Sequence, residues 1–279
     1  MRKEVTFANI YVIIHYRKVC KRCTMKLMPV LPETIFDIGY LIFAIVSGIT
    51  LLFRAKGRRT VTLFGAMTLC LGCGDAFHLV PRMLNYWVDG DFTAAMGIGK
   101  LITSVTMTVF YLLMEYARRE CNGIRGQKPL LGVFWGLAVI RIALCCFPQN
   151  GWISAEPSLL WGIIRNIPFA VMGVMTVVLW FRSARGDMTL RLAWLAVTLS
   201  FAFYLPVVLW SQTAPLIGML MLPKTCMYIW LIVMFRRYSR IDRLPLGKEI
   251  SLSGEMSATR TKGSAASAEE GGSASGLRN

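Results

Sequence analysis

Three observations predict an all-α fold: a polytopic membrane protein built as a bundle of seven transmembrane helices. Hydrophobic residues fill 55% of the 279 positions and charged residues only 16%. Seven stretches stay apolar over the ~20 residues that a helix rising 1.5 Å per residue needs to cross the hydrocarbon core. Lysine and arginine mostly gather beside those stretches, as they do at the cytoplasmic flanks of membrane spans. The formal charge of +16 is therefore read as membrane-flanking charge, and no nucleic-acid partner is expected.

Each span has an identifiable boundary. Span one, residues 35–53, stops at the basic run Arg54, Lys56, Arg58 and Arg59, and span two, residues 61–80, starts just beyond it. Span three covers 98–117 and ends at Arg118 and Arg119, while span four covers 130–147 and ends at Pro148. Span five, residues 159–181, is closed by Arg182 and Arg185. Span six follows Arg191 over 192–210, and span seven runs over 215–235 to Arg236 and Arg237.

The basic connections alternate. Those after spans one, three, five and seven hold the arginines and lysines, whereas 83–97, 148–158 and 211–214 hold none, and the first of these carries Asp89 and Asp91. The positive-inside rule predicts a multi-pass protein of the plasma (inner) membrane, with the start of span one outside and the carboxyl terminus in the cytoplasm.

The first 24 residues break this pattern, because Arg2, Lys3, Arg17, Lys18, Lys21 and Arg22 would have to be translocated, and residues 1–30 are set apart as an extension. Residues 5–16 are apolar over only about half a span, and no small-residue cleavage site follows. An amino-terminal extension with a natural start at Met25 or Met28 is expected; an interfacial helix is the alternative. The membrane domain then occupies 31–243. Residues 244–279, rich in Ser, Gly and Ala, are expected to form a disordered cytoplasmic tail.

Cys70, Cys73, Cys145, Cys146 and Cys226 fall inside apolar spans and read as small core residues, not as a disulfide framework. Cys20 and Cys23 have the spacing of half a zinc site but lack a second pair, so neither a metal nor a cofactor is expected.

Charge inside the spans carries the functional reading. A charged side chain at the centre of a membrane helix costs about 2.5–3.5 kcal/mol, so it faces a partner or a polar interior. Asp75, His78 and Arg82 are spaced three and then four apart, on one face of span two near its outer end. Arg141 lies seven residues before Pro148. Arg165 and Asn166 follow the outer start of span five, Tyr204 lies about two turns below the outer end of span six, and Lys224 is placed midway along span seven.

Lys100, Ser104, Thr108, Tyr111 and Glu115 form one stripe on span three, with Glu115 toward the cytoplasmic boundary. Pro168, Pro206 and Pro223 sit beside Asn166, Tyr204 and Lys224, and each is expected to free a backbone carbonyl and kink its helix.

Plainer roles compete. Arg82 and Lys100 lie at span edges and fit snorkelling equally well, Gly72, Gly97 and Gly99 fit close helix packing, and Trp87, Trp152, Trp161 and Trp210 fit an interfacial belt. Arg141, Arg165 and Lys224 lie too deep to snorkel easily, and Asp75 can balance only one of them.

An outward-facing cationic cavity follows, lined by Arg82, Lys100, Ser104, Arg141, Arg165, Asn166, Tyr204 and Lys224. It would recognise or transport a small anion or an anionic lipid headgroup, because arginine forks match carboxylate and phosphate. Membrane lipids and that anion are the expected partners; the oligomeric state is open. An alternative is a lipid-modifying enzyme using Asp75 and His78 for acid–base chemistry, with Ser104 as nucleophile. A seven-helix sensor is a third reading. Lys224 occupies the helix in which retinal proteins form a Schiff base, but Leu222-Pro223-Lys224-Thr225-Cys226 does not look like their seventh helix.

The segments Gly74-Asp75-Ala76-Phe77-His78-Leu79-Val80-Pro81-Arg82, Arg165-Asn166-Ile167-Pro168-Phe169 and Pro223-Lys224-Thr225 resemble motifs of an uncharacterised group of bacterial seven-helix membrane proteins. The resemblance implies the seven-helix fold and carries no established activity.

Overall fold

The structure, a computed structural model, describes residues 30–126, 128–154, 158–183, 189–210 and 215–241. The expected amino-terminal extension, the Cys20/Cys23 pair and the expected disordered tail lie outside the described residues. Contacts divide the chain into two units, Met1–Arg236 and Arg237–Asn279. The described part of the second, residues 237–241, is the end of the last helix.

Among the described residues, seven helices are long and apolar enough to cross a membrane. They are α1 Val30–Ala55, α2 Arg59–Trp87, α3 Thr93–Cys121, α4 Lys128–Cys146, α5 Leu159–Ser183, α6 Ala193–Trp210 and α7 Met221–Ile241. Lipid offers no hydrogen bonds, so each crossing segment satisfies its own backbone as a helix. Short 3-10 segments precede α5 at Pro148–Asn150 and α7 at Pro215–Leu220.

Most helices overrun their apolar stretches. Helix α1 begins five residues before the predicted span, which brings Glu33 into it, and α2 continues through Pro81 and Arg82 to Trp87. Apolarity marks the hydrocarbon thickness, whereas backbone hydrogen bonding propagates until a turn stops it. Arg118 and Arg119, assigned to a connection by sequence, belong to α3, and Arg118 is buried within it.

Two expectations about α7 are corrected. Lys224 lies in its first turn instead of midway along it, and Pro223 sits in that same turn. In the first turn of an α-helix the N–H groups have no partner within the helix, so the missing N–H of Pro223 breaks no hydrogen bond inside α7.

Small residues set the helix contacts, as they do where lipid gives no hydrophobic drive to association. Gly72 lies against Ala44 and Ile45, joining α1 to α2, and Gly173 lies against Phe201, joining α5 to α6. Helix α3 packs along α2: Thr103 donates its hydroxyl to the Gly74 carbonyl at 2.9 Å, and Cys70 donates to the Thr106 carbonyl at 3.0 Å.

Gly99 lies on the Phe77 carbonyl and Gly97 on that of Trp152. A Cβ at Gly99 would overlap backbone that cannot rotate away. Gly99→Ala is expected to destabilise the protein by about 1–3 kcal/mol, the cost of overpacking, read as a lower thermal-unfolding midpoint in detergent.

Within the first unit α7 returns against α1 and α2. Phe235 stacks on Phe64 with centroids 4.2 Å apart, and the Arg236 guanidinium donates to the Ser47 hydroxyl at 2.9 Å. Tyr40, Leu41, Ala44 and Ile232 form the core at this junction. Tyr228 meets Phe110 of α3 edge to face at 6.0 Å, so α7 also borders the interior where the polar residues gather.

Candidate functional site

The interior between α3, α4, α5, α6 and α7 is aromatic. The ring of Tyr111 lies 5.1 Å from that of Phe169 and 5.7 Å from that of Phe201, and Phe169 lies 5.9 Å from Tyr204. Phe110 and Tyr228 continue the cluster. Three of the cations singled out in the sequence adjoin it.

Arg141, on α4, is only 2% exposed. Its guanidinium carbon sits 3.5 Å above the Phe169 ring centre. Nε and Nη1 are buried without any hydrogen-bond partner. Its electrostatic neighbours, Tyr204, Tyr111 and Cys145, are hydroxyls and a thiol, and Lys224 adds a second cation nearby. A desolvated cation–π contact returns about 2 kcal/mol, whereas burying a charge without a counter-ion costs several. Phe169 therefore does not offset the burial of Arg141.

Lys224 places its ammonium 4.8 Å from the Tyr204 ring centre and 5.5 Å from that of Tyr228. It interacts electrostatically with Asp75 on one side and Arg141 on the other, and no carboxylate among the described residues comes within ion-pair distance of it. Asp75 accepts a 2.7 Å hydrogen bond from the Tyr40 hydroxyl of α1. Tyr111, wholly buried, has a hydroxyl that faces Tyr228 without hydrogen-bonding geometry and lacks a partner.

Arg165 is held differently. Its Nη1 donates to Asn150 Oδ1 at 2.8 Å and its guanidinium stacks 4.1 Å over Trp152. Asn150 in turn donates to the carbonyls of Leu144 and Phe147 at the end of α4, at 2.7 and 2.8 Å. Gly151, with φ of 63°, supplies the left-handed turn that brings Trp152 under Arg165. Arg165 thus braces the α4–α5 connection while its charge still reaches Tyr204.

Tyr204 joins these groups: its hydroxyl donates to Asn166 Oδ1 at 3.0 Å, and its electrostatic neighbours include Arg141 and Arg165. Asn166 Nδ2 is satisfied by the Gly162 carbonyl at 2.8 Å.

The remaining candidates form a second layer toward the α2–α3 connection. Arg82 pairs with Glu33 of α1 and donates to the Tyr86 hydroxyl at 3.1 Å. Lys100 is exposed and within electrostatic reach of Arg82 and Arg165. His78 hydrogen-bonds the Met96 backbone, leaves Nδ1 buried and unpartnered, and is surrounded by the charges of Lys100, Arg82 and Lys224.

No bond joins Asp75 to His78: the carboxylate turns to Tyr40 and Lys224, the imidazole to α3. Ser104 donates to its own helix, at the Lys100 carbonyl, and Thr108 donates likewise to Ser104. Glu115 closes on Arg118 through two 2.8 Å hydrogen bonds. The stripe on α3 therefore divides into self-satisfied hydroxyls and a separate ion pair, leaving Tyr111 as its contribution to the interior.

Glu33, Asp37 and Tyr40 were not singled out from the sequence. Asp37 adjoins Glu33, Arg82 and Asp75. The three recur at four and three residues along α1, the periodicity of one helical face, which is the signal that marks them.

These spans define a multi-pass integral membrane protein. No protein-family model, curated protein or solved structure matches the chain.

Proposed function

We propose that the protein binds a small anion or an anionic headgroup between Arg141, Lys224 and Tyr111. The single observation that carries this reading is Arg141, a fully buried arginine with unpartnered Nε and Nη1 and no acid among its neighbours. An anion accepting from the guanidinium fork supplies the missing counter-charge and hydrogen bonds together. Lys224 and the unpartnered Tyr111 hydroxyl add donors to the same ligand.

Arg165 and Tyr204 extend positive potential from this point toward the α4–α5 connection. The basic residues between α1 and α2, and at the far ends of α3, α5 and α7, support an orientation with this end of the bundle outside. Recognition or transport of an exported or lipid-borne anion fits that orientation.

Thermal unfolding of the protein in phosphatidylcholine nanodiscs tests the reading, with formate, benzoate, sulfate, phosphate and phosphatidylglycerol as added anions. A ligand that binds only the folded state raises stability by RT ln(1 + [L]/Kd), about 2.7 kcal/mol at a hundred times Kd. At least one anion is expected to give a saturable rise that Arg141→Gln and Lys224→Gln abolish. Absence of any saturable rise across the panel overturns the reading.

A further inference from the structure

Two contacts fix how the start of α1 lies on the end of α2. Glu33 pairs with Arg82, and the Tyr40 hydroxyl donates to Asp75 Oδ2 at 2.7 Å. The two contacts are seven residues apart on each helix and run in opposite order, so the helices are antiparallel along about 10 Å. Asp37, four residues from Glu33 and three from Tyr40, shares their face of α1 and lies between the two contacts. It is 5% exposed.

The donors around Asp37 serve other groups. Arg82, the cation beside it, turns Nη2 to Glu33 and Nε to Tyr86. The Tyr40 hydroxyl goes to Asp75, the Thr34 hydroxyl to the Val30 carbonyl and the Trp87 indole to Thr34. Backbone N–H groups past the first turn are spent within the helix. Among the described residues nothing donates to the Asp37 carboxylate, and no cation comes within ion-pair distance of it. Burying an ionised carboxylate without a donor or a counter-ion is costly, and a proton removes the charge and that cost together.

We propose that Asp37 is a proton-binding site: one carboxylate oxygen takes a proton from hydronium, leaving water, and the neutral acid is the form that packs between α1 and α2. The proposal stands apart from the anion-binding reading. The groups facing Asp37 do not replace the proton. On α1, Glu33 is a second acid and Tyr40 donates elsewhere; on α2, Asp75 is a third acid and Arg82 is held by Glu33; α7 brings Tyr228, a neighbour of Tyr40. A hard metal cation takes several oxygen ligands, and among the described residues no group of three or more acids, histidines or cysteines is placed to hold one. Separation of α1 from α2 admits water to Asp37 and releases the proton, so the charge of Asp37 follows the packing of the two helices.

Infrared difference spectra of the full chain in maltoside micelles, which carry no ester carbonyl, test the proposal at pH 5.5. Wild-type protein minus Asp37→Asn is expected to show the carbonyl stretch of a protonated carboxyl. Absence of any such band from the wild-type spectrum overturns the proposal whether or not a variant folds. A band equally strong in folded Asp37→Asn or Asp37→Leu overturns it as well. Thermal unfolding supplies a second readout. The folded protein holds a proton that the unfolded chain releases above the ordinary carboxylate value of about 3.9, so this contribution to stability falls as pH rises. Relative to Asp37→Asn, the wild-type unfolding constant is expected to rise by up to about tenfold per pH unit until Asp37 ionises in the folded protein. A wild-type midpoint that instead rises with pH relative to Asp37→Asn overturns the proposal. So does stabilisation of the wild type by sodium over potassium that Asp37→Asn removes, which would mark a metal-cation site.

Discussion

Arg141→Met is expected to make the ligand-free protein more stable while removing its response to anions. Most deletions of a buried side chain do the opposite, because they leave a cavity or an unpaired partner. Arg141 has no carboxylate to abandon: its neighbours are Tyr204, Tyr111, Cys145 and the ring of Phe169. Methionine has a similar length, packs against an aromatic ring through its sulfur and brings no charge to desolvate. Replacing buried ions with apolar residues of similar volume gains about 1–4 kcal/mol where the geometry of the ions is poor, and two unpartnered nitrogens are poor geometry.

Thermal unfolding in detergent, with and without the anion that stabilises the wild-type protein, measures both halves. A higher midpoint without anion and no rise with it fits a residue kept for a ligand. A fall of several kcal/mol without anion would make Arg141 a structural residue and remove the basis for the site. Arg141→Lys separates charge from shape: it keeps the positive charge but loses the planar fork and the stack on Phe169, so weakened anion binding is expected.

The spans were legible because the physics that forms them is local. A run of apolar residues in lipid has one way to satisfy its backbone, so composition and length suffice. Their ends were less legible, since α1 and α2 continue as helices where the residues turn polar, and this carried Glu33 and Arg82 inside. Lys224 was misplaced by the same logic. The apolar stretch starts at Pro215, but its first six residues form a 3-10 segment, which leaves the lysine in the opening turn of α7.

Charges of the candidate site stood out in the sequence because a membrane span makes any charge conspicuous. Their partners did not. Tyr40 and Phe169 look like ordinary core residues, and only tertiary packing shows that one donates to Asp75 and the other lies under Arg141. Asp75 and His78 share a helical face yet bind different neighbours, because α1 and α7 approach Asp75 while α3 reaches His78. The spacing of residues on one helix fixes direction; it does not fix which helix lies opposite.

Glu115→Ala is expected to be among the most destabilising single substitutions, for the reason that makes Arg141 dispensable to stability. Glu115 and Arg118 are 1% and 3% exposed, and Arg118 uses Nε and Nη2 to reach both carboxylate oxygens at 2.8 Å. Arg118 also donates to the Ser183 hydroxyl of α5 at 3.3 Å, so the pair ties α3 to α5. Removing the carboxylate takes from a buried guanidinium the acid that it bonds through Nε and Nη2, at a cost of about 3–5 kcal/mol.

Loss of folded protein on size-exclusion chromatography, or a midpoint depressed by that amount, checks the expectation. The double variant Glu115→Leu with Arg118→Met is expected to recover most of the loss, because it removes both charges and keeps apolar volume. A double variant as unstable as Glu115→Ala would show that Arg118 matters through its other contacts instead of its charge. The two buried arginines then differ by one testable fact: among the described residues Arg118 bonds a carboxylate and Arg141 bonds none.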